Sequence, residues 1–451
     1  MRIFVKDKSF YHKLLSISVP IALQNLITFG VNMMDTVMVG QLGEAQLTAT
    51  SLANQVGFVF MIINFGLTGG ASILTAQYWG RGDGEAIKRV MGLTYRISIG
   101  MSLIFSVLSF FTPGFLMRIF TTDEAVIAEG VRYLRIMAFT YGMYGITLTS
   151  ISLLRTVGTV KISLAVYSLS FVVNVFFNWV FIFGHLGAPR MEIVGAALGT
   201  LIARVSEFLF IGIYMLAVEK KICFRIRYLF SRCGREITEK FIRYSAPVMG
   251  NEVLWSLGDS MITVIMGRLG SEMVAAFSIC RVLMQFTTVL VQGISNSAAV
   301  ITGNTIGEGE YQKAKDQART FFSLSVIFGV FACALMLLIK HVAIDFYNVS
   351  DATKALAYQL MTVMAVMMIF QSVGSVNLIG TLRGGGDSKF VFLCDVGSMW
   401  VCSVFLGFLA GIVIGLPPAV TFIFLKSDQV AKSVACVGRL FRGKWVRDVT
   451  R

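Results

Sequence analysis

The 451-residue chain is poor in charge: Asp, Glu, Lys and Arg make up 14% of it, against about 25% in a typical soluble domain. That shortage excludes an ordinary solvent-covered globular protein. Proline is scarce, with 6 residues, and no low-complexity tract occurs, which argues against a disordered or linker-rich chain. Histidine appears only at His12, His185 and His341, too far apart to suggest a metal site or a catalytic triad. The 7 cysteines form no CxxC pair, so neither a disulfide framework nor a zinc site is supported. No GxxxxGK[ST] motif is present, so the glycine-rich stretches do not read as a nucleotide site. These absences point away from an enzyme and from any bound cofactor. What remains is apolar: 56% hydrophobic residues with 37 Phe, 23 Met and 43 Gly, and a mean hydropathy of +0.75. This is the composition of a polytopic membrane protein.

A spanning helix needs about 20 mostly apolar residues. Twelve such stretches are legible, at 14–39, 48–77, 90–113, 130–154, 161–184, 193–217, 241–266, 274–304, 318–340, 354–381, 389–412 and 416–437. The longest gap lies near 219–240, so no globular domain hides in a loop. Arg2, Lys6, Lys8 and Lys13 precede the first apolar run as in a signal peptide. That run is too long, contains Asp35 and lacks a small-residue cleavage site, so it reads as a retained first span. Most of the 39 Lys and Arg fall in the even-numbered gaps and the two tails, including Lys220, Lys221, Arg225, Arg232 and Arg235. The bias predicts that both termini are cytoplasmic, in the plasma membrane. The net charge of +14 is then mainly topology and contact with anionic membrane lipids. It is not a nucleic-acid footprint, because too few segments are exposed to build a basic groove.

The sequence is written twice. A shift of 227 residues lays Pro20 on Pro247, Thr36 on Thr263, Gly40 on Gly267, Leu42 and Gly43 on Leu269 and Gly270, and Gly80 and Gly82 on Gly307 and Gly309. A shift of 228 lays "LRTVGTVK" (154–161) on "LRGGGDSK" (382–389). The expected architecture is therefore all-α and integral to the membrane, with twelve transmembrane helices in two six-helix bundles. These span 1–219 and 241–451, joined by a basic cytoplasmic linker at 220–240. Six spans per half return the chain to its starting side, giving parallel repeats, a transporter architecture whose substrate path runs between the halves. The recurring "GRGDG" (80–84) and "GEGE" (307–310) read as tight cytoplasmic turns.

Charges inside the membrane cost about 2.5–3.5 kcal/mol each on insertion scales, so each asks for a reason. At about 100° per residue, Gln24, Thr28, Asn32 and Asp35 share one face of the first span. Glu252, Ser256, Asp259 and Thr263 do the same on the seventh. Arg281 on span eight, near Gln285 by the same count, is the obvious counter-charge. Two acids competing for one base would leave one free to titrate. Span five adds Ser163, Tyr167, Ser170, Asn174 and Asn178. Amides offer uncharged oxygen ligands, suited to a hard monovalent cation shared with a carboxylate; interhelical hydrogen bonding is the alternative. Arg204 and Glu207, three apart, are expected to pair. Met361, Met364, Met367 and Met368 suit a promiscuous apolar site, although any one of them also reads as gap-filling.

The segments "VPIALQNLITFGVNMMDTVMVGQLG" (19–43), "NVFFNWVFIFGHLGAPRMEIVGAALGT" (174–200), "APVMGNEVLWSLGDSMITVIMGRLG" (246–270) and "LRGGGDSK" (382–389) resemble the MATE family of multidrug and toxic compound extrusion transporters, in its bacterial NorM-like branch. The resemblance covers nearly the whole chain. It implies a monomeric secondary antiporter that exports organic, often cationic compounds in exchange for inward Na⁺ or H⁺, by alternating access between two lobes. It further implies that Asp35, Asn174, Thr200 and Glu252 take part in the cation sites; the helical faces read above add Asn178 as a ligand and Gln24, Asn32, Asp259, Arg281 and Gln285 as a supporting polar and charged network. Two positions depart from the family: Asn178 stands where an aspartate is common, and the span-ten aspartate is replaced in the neighbourhood of Val373, Gly374 and Asn377. A flippase for a lipid-linked saccharide has similar spans. It would be expected to line its cavity with several Arg or Lys against phosphates, whereas mid-span bases here are few.

Overall fold

A computed structural model describes residues 4–231, 233–347 and 349–451, and all regular structure among them is helical. Arg2 and Arg232, counted above with the cytoplasmic bases, lie outside these ranges. Among the described residues nine helices are long and apolar enough to cross a membrane, from Lys8–Gly40 to Ser388–Val413. A tenth forms if Glu124–Met137 and Thr140–Thr156, which meet at 54°, make one broken span. Two expected spans fall short for different reasons. Arg235–Arg268 is a continuous helix but carries many charges along its length, and the last span is interrupted between Pro418–Leu425 and Asp428–Phe441. Counted with these two, the helical segments agree with the twelve expected.

The chain divides into two compact units, one made of Met1–Ala22, Ser72–Asp83 and Ile242–Arg451, the other of Leu23–Ala71 and Gly84–Phe241. Residues 4–22 and 72–83 thus pack with the C-terminal part. Small residues explain it. A Cβ on Gly80 would lie 2.0 Å from the Asn304 carbonyl oxygen, and one on Gly307 would lie 2.0 Å from that of Gln77. One on Gly293 would meet the Ser18 carbonyl at 2.7 Å, where the Ser18 and Ser297 hydroxyls are 2.8 Å apart. Such close backbone approach is how membrane helices associate where lipid removes the hydrophobic drive. Within the expected linker, one side chain is anchored. Tyr228 is buried, donates to the Glu85 carboxylate at 3.1 Å, and presents its carbonyl to the space left by Gly92.

The repeat is visible in backbone geometry. Gly82 donates to the Trp79 carbonyl and Asp83 to that of Tyr78, while Gly309 donates to Ile306 and Glu310 to Thr305. Gly158 and Thr159 donate to Arg155 and Leu154, as Gly386 and Asp387 do to Arg383 and Leu382. Each is a Schellman helix end, which needs a residue in the left-handed region. The φ values of +78°, +82°, +74° and +85° at Gly82, Gly309, Gly158 and Gly386 supply it. The repeated glycines are therefore turns, as their recurrence predicts. Met361, Met364 and Met368 are fully buried in one apolar cluster with Met266, Met273 and Met336. They act as gap-fillers there.

Candidate cation site

In the unit built from Leu23–Ala71 and Gly84–Phe241, the Lys161–Phe183 helix buries Ser163, Tyr167, Ser170, Asn174 and Asn178. Their three- and four-residue spacing puts them on one face, against the Glu192–Ile213 helix. That neighbour comes close through glycine: a Cβ on Gly195 would lie 2.6 Å from the Phe181 backbone, and one on Gly199 would lie 2.1 Å from Asn178 Oδ1. The missing side chain at 199 is thus what leaves room for the Asn178 amide.

The polar groups form a chain. Asn178 Nδ2 donates to Asp35 Oδ1 at 2.5 Å and to Asn174 Oδ1 at 3.2 Å, and Asn174 Nδ2 reaches Thr200 Oγ1 at 3.5 Å. The four residues expected at this site are therefore in one hydrogen-bonded cluster, with Asn174 and Asn178 both buried. Two features of the cluster point beyond helix packing. Asn178 Oδ1 is buried with no hydrogen-bond partner, an omission that native interiors seldom tolerate. Asp35 has no ion-pair partner among the described residues, because the nearby base is committed elsewhere. Arg204 holds Glu207, whose side chain is 0% exposed, at 2.8 Å, and its guanidinium lies 4.1 Å from the Tyr144 ring centroid. Carboxylate, amide and hydroxyl oxygens with no committed cation suit a hard monovalent ion or a proton.

The remaining predicted residues stand apart from this cluster. Gln24 is buried, with Oε1 unpartnered. Asn32 is exposed, and its carbonyl accepts the Thr36 hydroxyl. Gln285 is also exposed, its carbonyl accepting from Thr288. In the other unit Arg281 pairs with Asp259 at 3.6 Å, whereas Glu252 accepts from Arg383 Nη1 at 3.0 Å. The expectation of two acids competing for one base is corrected: each acid has its own. Helical counting along one span cannot place a base from the distant 382–389 turn.

A second charged cluster escaped the sequence reading. Lys432 Nζ lies 2.8 Å from Asp395 and 2.7 Å from Asp428, all three buried. Asn251 donates to Asp395 at 2.9 Å, and Ser403 donates to Asp428 at 2.7 Å. The four-residue spacing of Asp428 and Lys432 was a legible signal. Their pairing with Asp395 was not. Among the described residues no group of three or more His, Cys, Asp or Glu is placed to hold a metal ion.

A family model, MatE, matches residues 20–180 and again residues 247–409, so the second match begins 227 residues after the first. The chain belongs to the MatE family. It is accordingly a multi-pass membrane transporter of a multidrug efflux family and not an enzyme. Among its relatives, the probable multidrug resistance protein YoeA of Bacillus subtilis is 23% identical over 89% of each chain. The probable multidrug resistance protein NorM of Agrobacterium fabrum is 25% identical over 87% of this chain and 85% of its own length. A solved MATE structure in complex with MaL6 superposes with a TM-score of 0.85, at 18% identity, over 96% of this chain and 95% of that one. At that identity the superposition speaks for the MatE fold alone.

Proposed function

We propose that this transporter is a secondary antiporter that exports small organic, often cationic compounds in exchange for inward Na⁺ or H⁺, with Asp35 as the coupling site. The observation that carries the reading is the Asp35 cluster: one carboxylate among neutral oxygens, a buried amide oxygen without a partner, and no committed base. An ion entering there satisfies Asn178 Oδ1 and neutralises Asp35. Its departure leaves a negative site that a cationic substrate can exploit. Binding of ion and of substrate are then mutually exclusive, which is what exchange requires, and alternating access makes the exchange vectorial. One charge moving down 100 mV supplies about 2.3 kcal/mol before any concentration gradient is added. The chain works as a monomer in the plasma membrane with both termini cytoplasmic.

Proteoliposomes loaded with a fluorescent organic cation test the reading. Efflux is expected to accelerate when an inward Na⁺ or pH gradient is imposed, and indifference to both gradients contradicts it. Movement of a labelled lipid-linked saccharide in the same vesicles, without efflux of the cation, would favour the flippase alternative. Orientation is checked at Cys223, which is free and exposed. A membrane-impermeant maleimide should label it in inverted vesicles and not in intact cells.

A further inference from the structure

Far along the chain from the Asp35 cluster, residues 445–450 do not trail into solvent. Trp445 is fully buried, seated where a Cβ on Gly385 would lie 2.4 Å from its ring. Arg447 donates its backbone N–H to the Gly385 carbonyl at 2.9 Å. Gln77 donates to the carbonyls of Gly384 and Arg447 and accepts from the backbone of Val449 at 2.9 Å, while Arg81 donates to the Thr450 carbonyl at 2.9 Å. Beneath them Asp387, 0% exposed, is shared by Arg439 and Arg447 at 2.8 Å each. This strap of fixed backbone walls a half-open cavity of about 340 Å³, lined by Arg243, Tyr244, Lys389, Arg447 and Arg451.

The charges are unbalanced. Asp448 is the one acid lining the cavity, and it pairs with Arg451 at 3.1 Å. Arg447 is partly neutralised by Asp387 from below. Arg243 and Lys389 have no carboxylate within ion-pairing distance among the described residues. The Ser388–Gly397 helix begins at the rim, where Gly386, Ser388 and Lys389 contribute lining, so its N-terminal partial positive charge adds to the field. Ordinary positive-inside topology scatters bases over a surface. Here two uncompensated cations and two partly compensated ones line one half-open cavity, one wall of which is held by buried contacts.

We propose that this cavity binds a phosphate-bearing anion. Guanidinium groups match phosphate oxygens in a two-pronged geometry. About 340 Å³ falls at the small end of ligand pockets and suits a single phosphate or diphosphate group rather than a whole nucleotide. The source is either the headgroup of an anionic phospholipid, which basic pockets at membrane depth take up, or a soluble phosphate compound. A bound anion would clamp the 445–451 strap to the 382–389 turn, the turn that also carries Arg383. The inference is independent of the export reading, because it concerns a different set of residues.

The test uses the full chain in nanodiscs. In one arm, retention of phosphatidylglycerol in otherwise phosphatidylcholine discs is followed by native mass spectrometry. In the other, inorganic pyrophosphate is titrated in pure phosphatidylcholine discs. The double variant Arg243→Gln/Lys389→Gln is expected to weaken binding by at least about tenfold, and Arg451→Gln, at an exposed position, by about threefold. The control Lys220→Gln/Arg225→Gln removes the same charge from exposed positions elsewhere and should stay within about twofold of the parent. Binding in the lipid arm alone assigns the headgroup, and binding in the pyrophosphate arm alone assigns a soluble phosphate. No binding in either arm overturns the proposal, as does an equal loss in the control. Should the double variant fail to fold, Arg451→Gln against the control still decides.

Discussion

The two units handle the acidic side chains of their long helices in opposite ways. Around Asp35 one carboxylate is surrounded by amides and a hydroxyl, and the neighbouring base, Arg204, is taken by Glu207. In the C-terminal unit every acid of the corresponding region has a base: Glu252 has Arg383, Asp259 has Arg281, and Asp395 and Asp428 share Lys432. The repeat offset makes the contrast sharper. Position 252 corresponds to Asn25 and position 383 to Arg155, so the Glu252–Arg383 pair has no acidic counterpart in the first half. One unit thus keeps an uncommitted negative charge, which suits reversible binding. The other neutralises its charges internally, which suits a scaffold, since removing one member of a buried pair costs far more than the pair itself contributes.

The largest effect should come from breaking the neutralised side. Lys432→Met leaves two buried carboxylates without their cation and is expected to destabilise the protein by about 3–5 kcal/mol, read as a collapse of thermal stability in detergent. A melting curve like that of the parent would show that the cluster is not structural. Next comes the uncommitted side. Asp35→Asn should weaken coupling-cation binding by ten- to a hundredfold, about 1.5–3 kcal/mol, with the melting temperature unchanged or raised. Gly199→Ala places a methyl where Asn178 Oδ1 lies and should reproduce the Asn178→Ala loss of efflux, several-fold, through displacement of the amide. Loss of efflux in Asn178→Ala alone would remove Gly199 from the account.

Smaller effects sharpen the comparison further. Glu252→Gln leaves Arg383 unpaired and should lower stability, whereas Glu252→Gln/Arg383→Gln should recover part of the loss, the signature of a pair rather than of an ion site. A double variant worse than the single one would return Glu252 to the list of cation ligands. Asp259→Asn disturbs a half-exposed contact of 3.6 Å and should change stability by no more than about 1 kcal/mol.

Much of this was legible in the residues. The 227-residue offset announced the duplication and reappears in the helix-end hydrogen bonds of Gly82 and Gly309. The polar stripe of span five pointed its own face inward, and the structure joins Asn174 and Asn178 to Asp35. What escaped has one physical cause. Helical periodicity reports which residues share a face of one helix and says nothing of which helix lies opposite. Arg383 therefore could not be assigned to Glu252, nor Lys432 to Asp395. The packing of Ser72–Asp83 with the C-terminal part was not legible either. That contact depends on Gly80 and Gly307 meeting carbonyls from another helix, a complementarity visible only once both backbones are placed.

The account stands on Asp35 being the charge that the coupling ion neutralises while Glu252 is held by Arg383. Gradient-driven efflux of a fluorescent cation from proteoliposomes, compared side by side in Asp35→Asn and in Glu252→Gln/Arg383→Gln, tests this most directly. The account predicts that Asp35→Asn no longer responds to an imposed Na⁺ or pH gradient, while the double variant still responds. A gradient response that survives in Asp35→Asn and disappears in the double variant would contradict it.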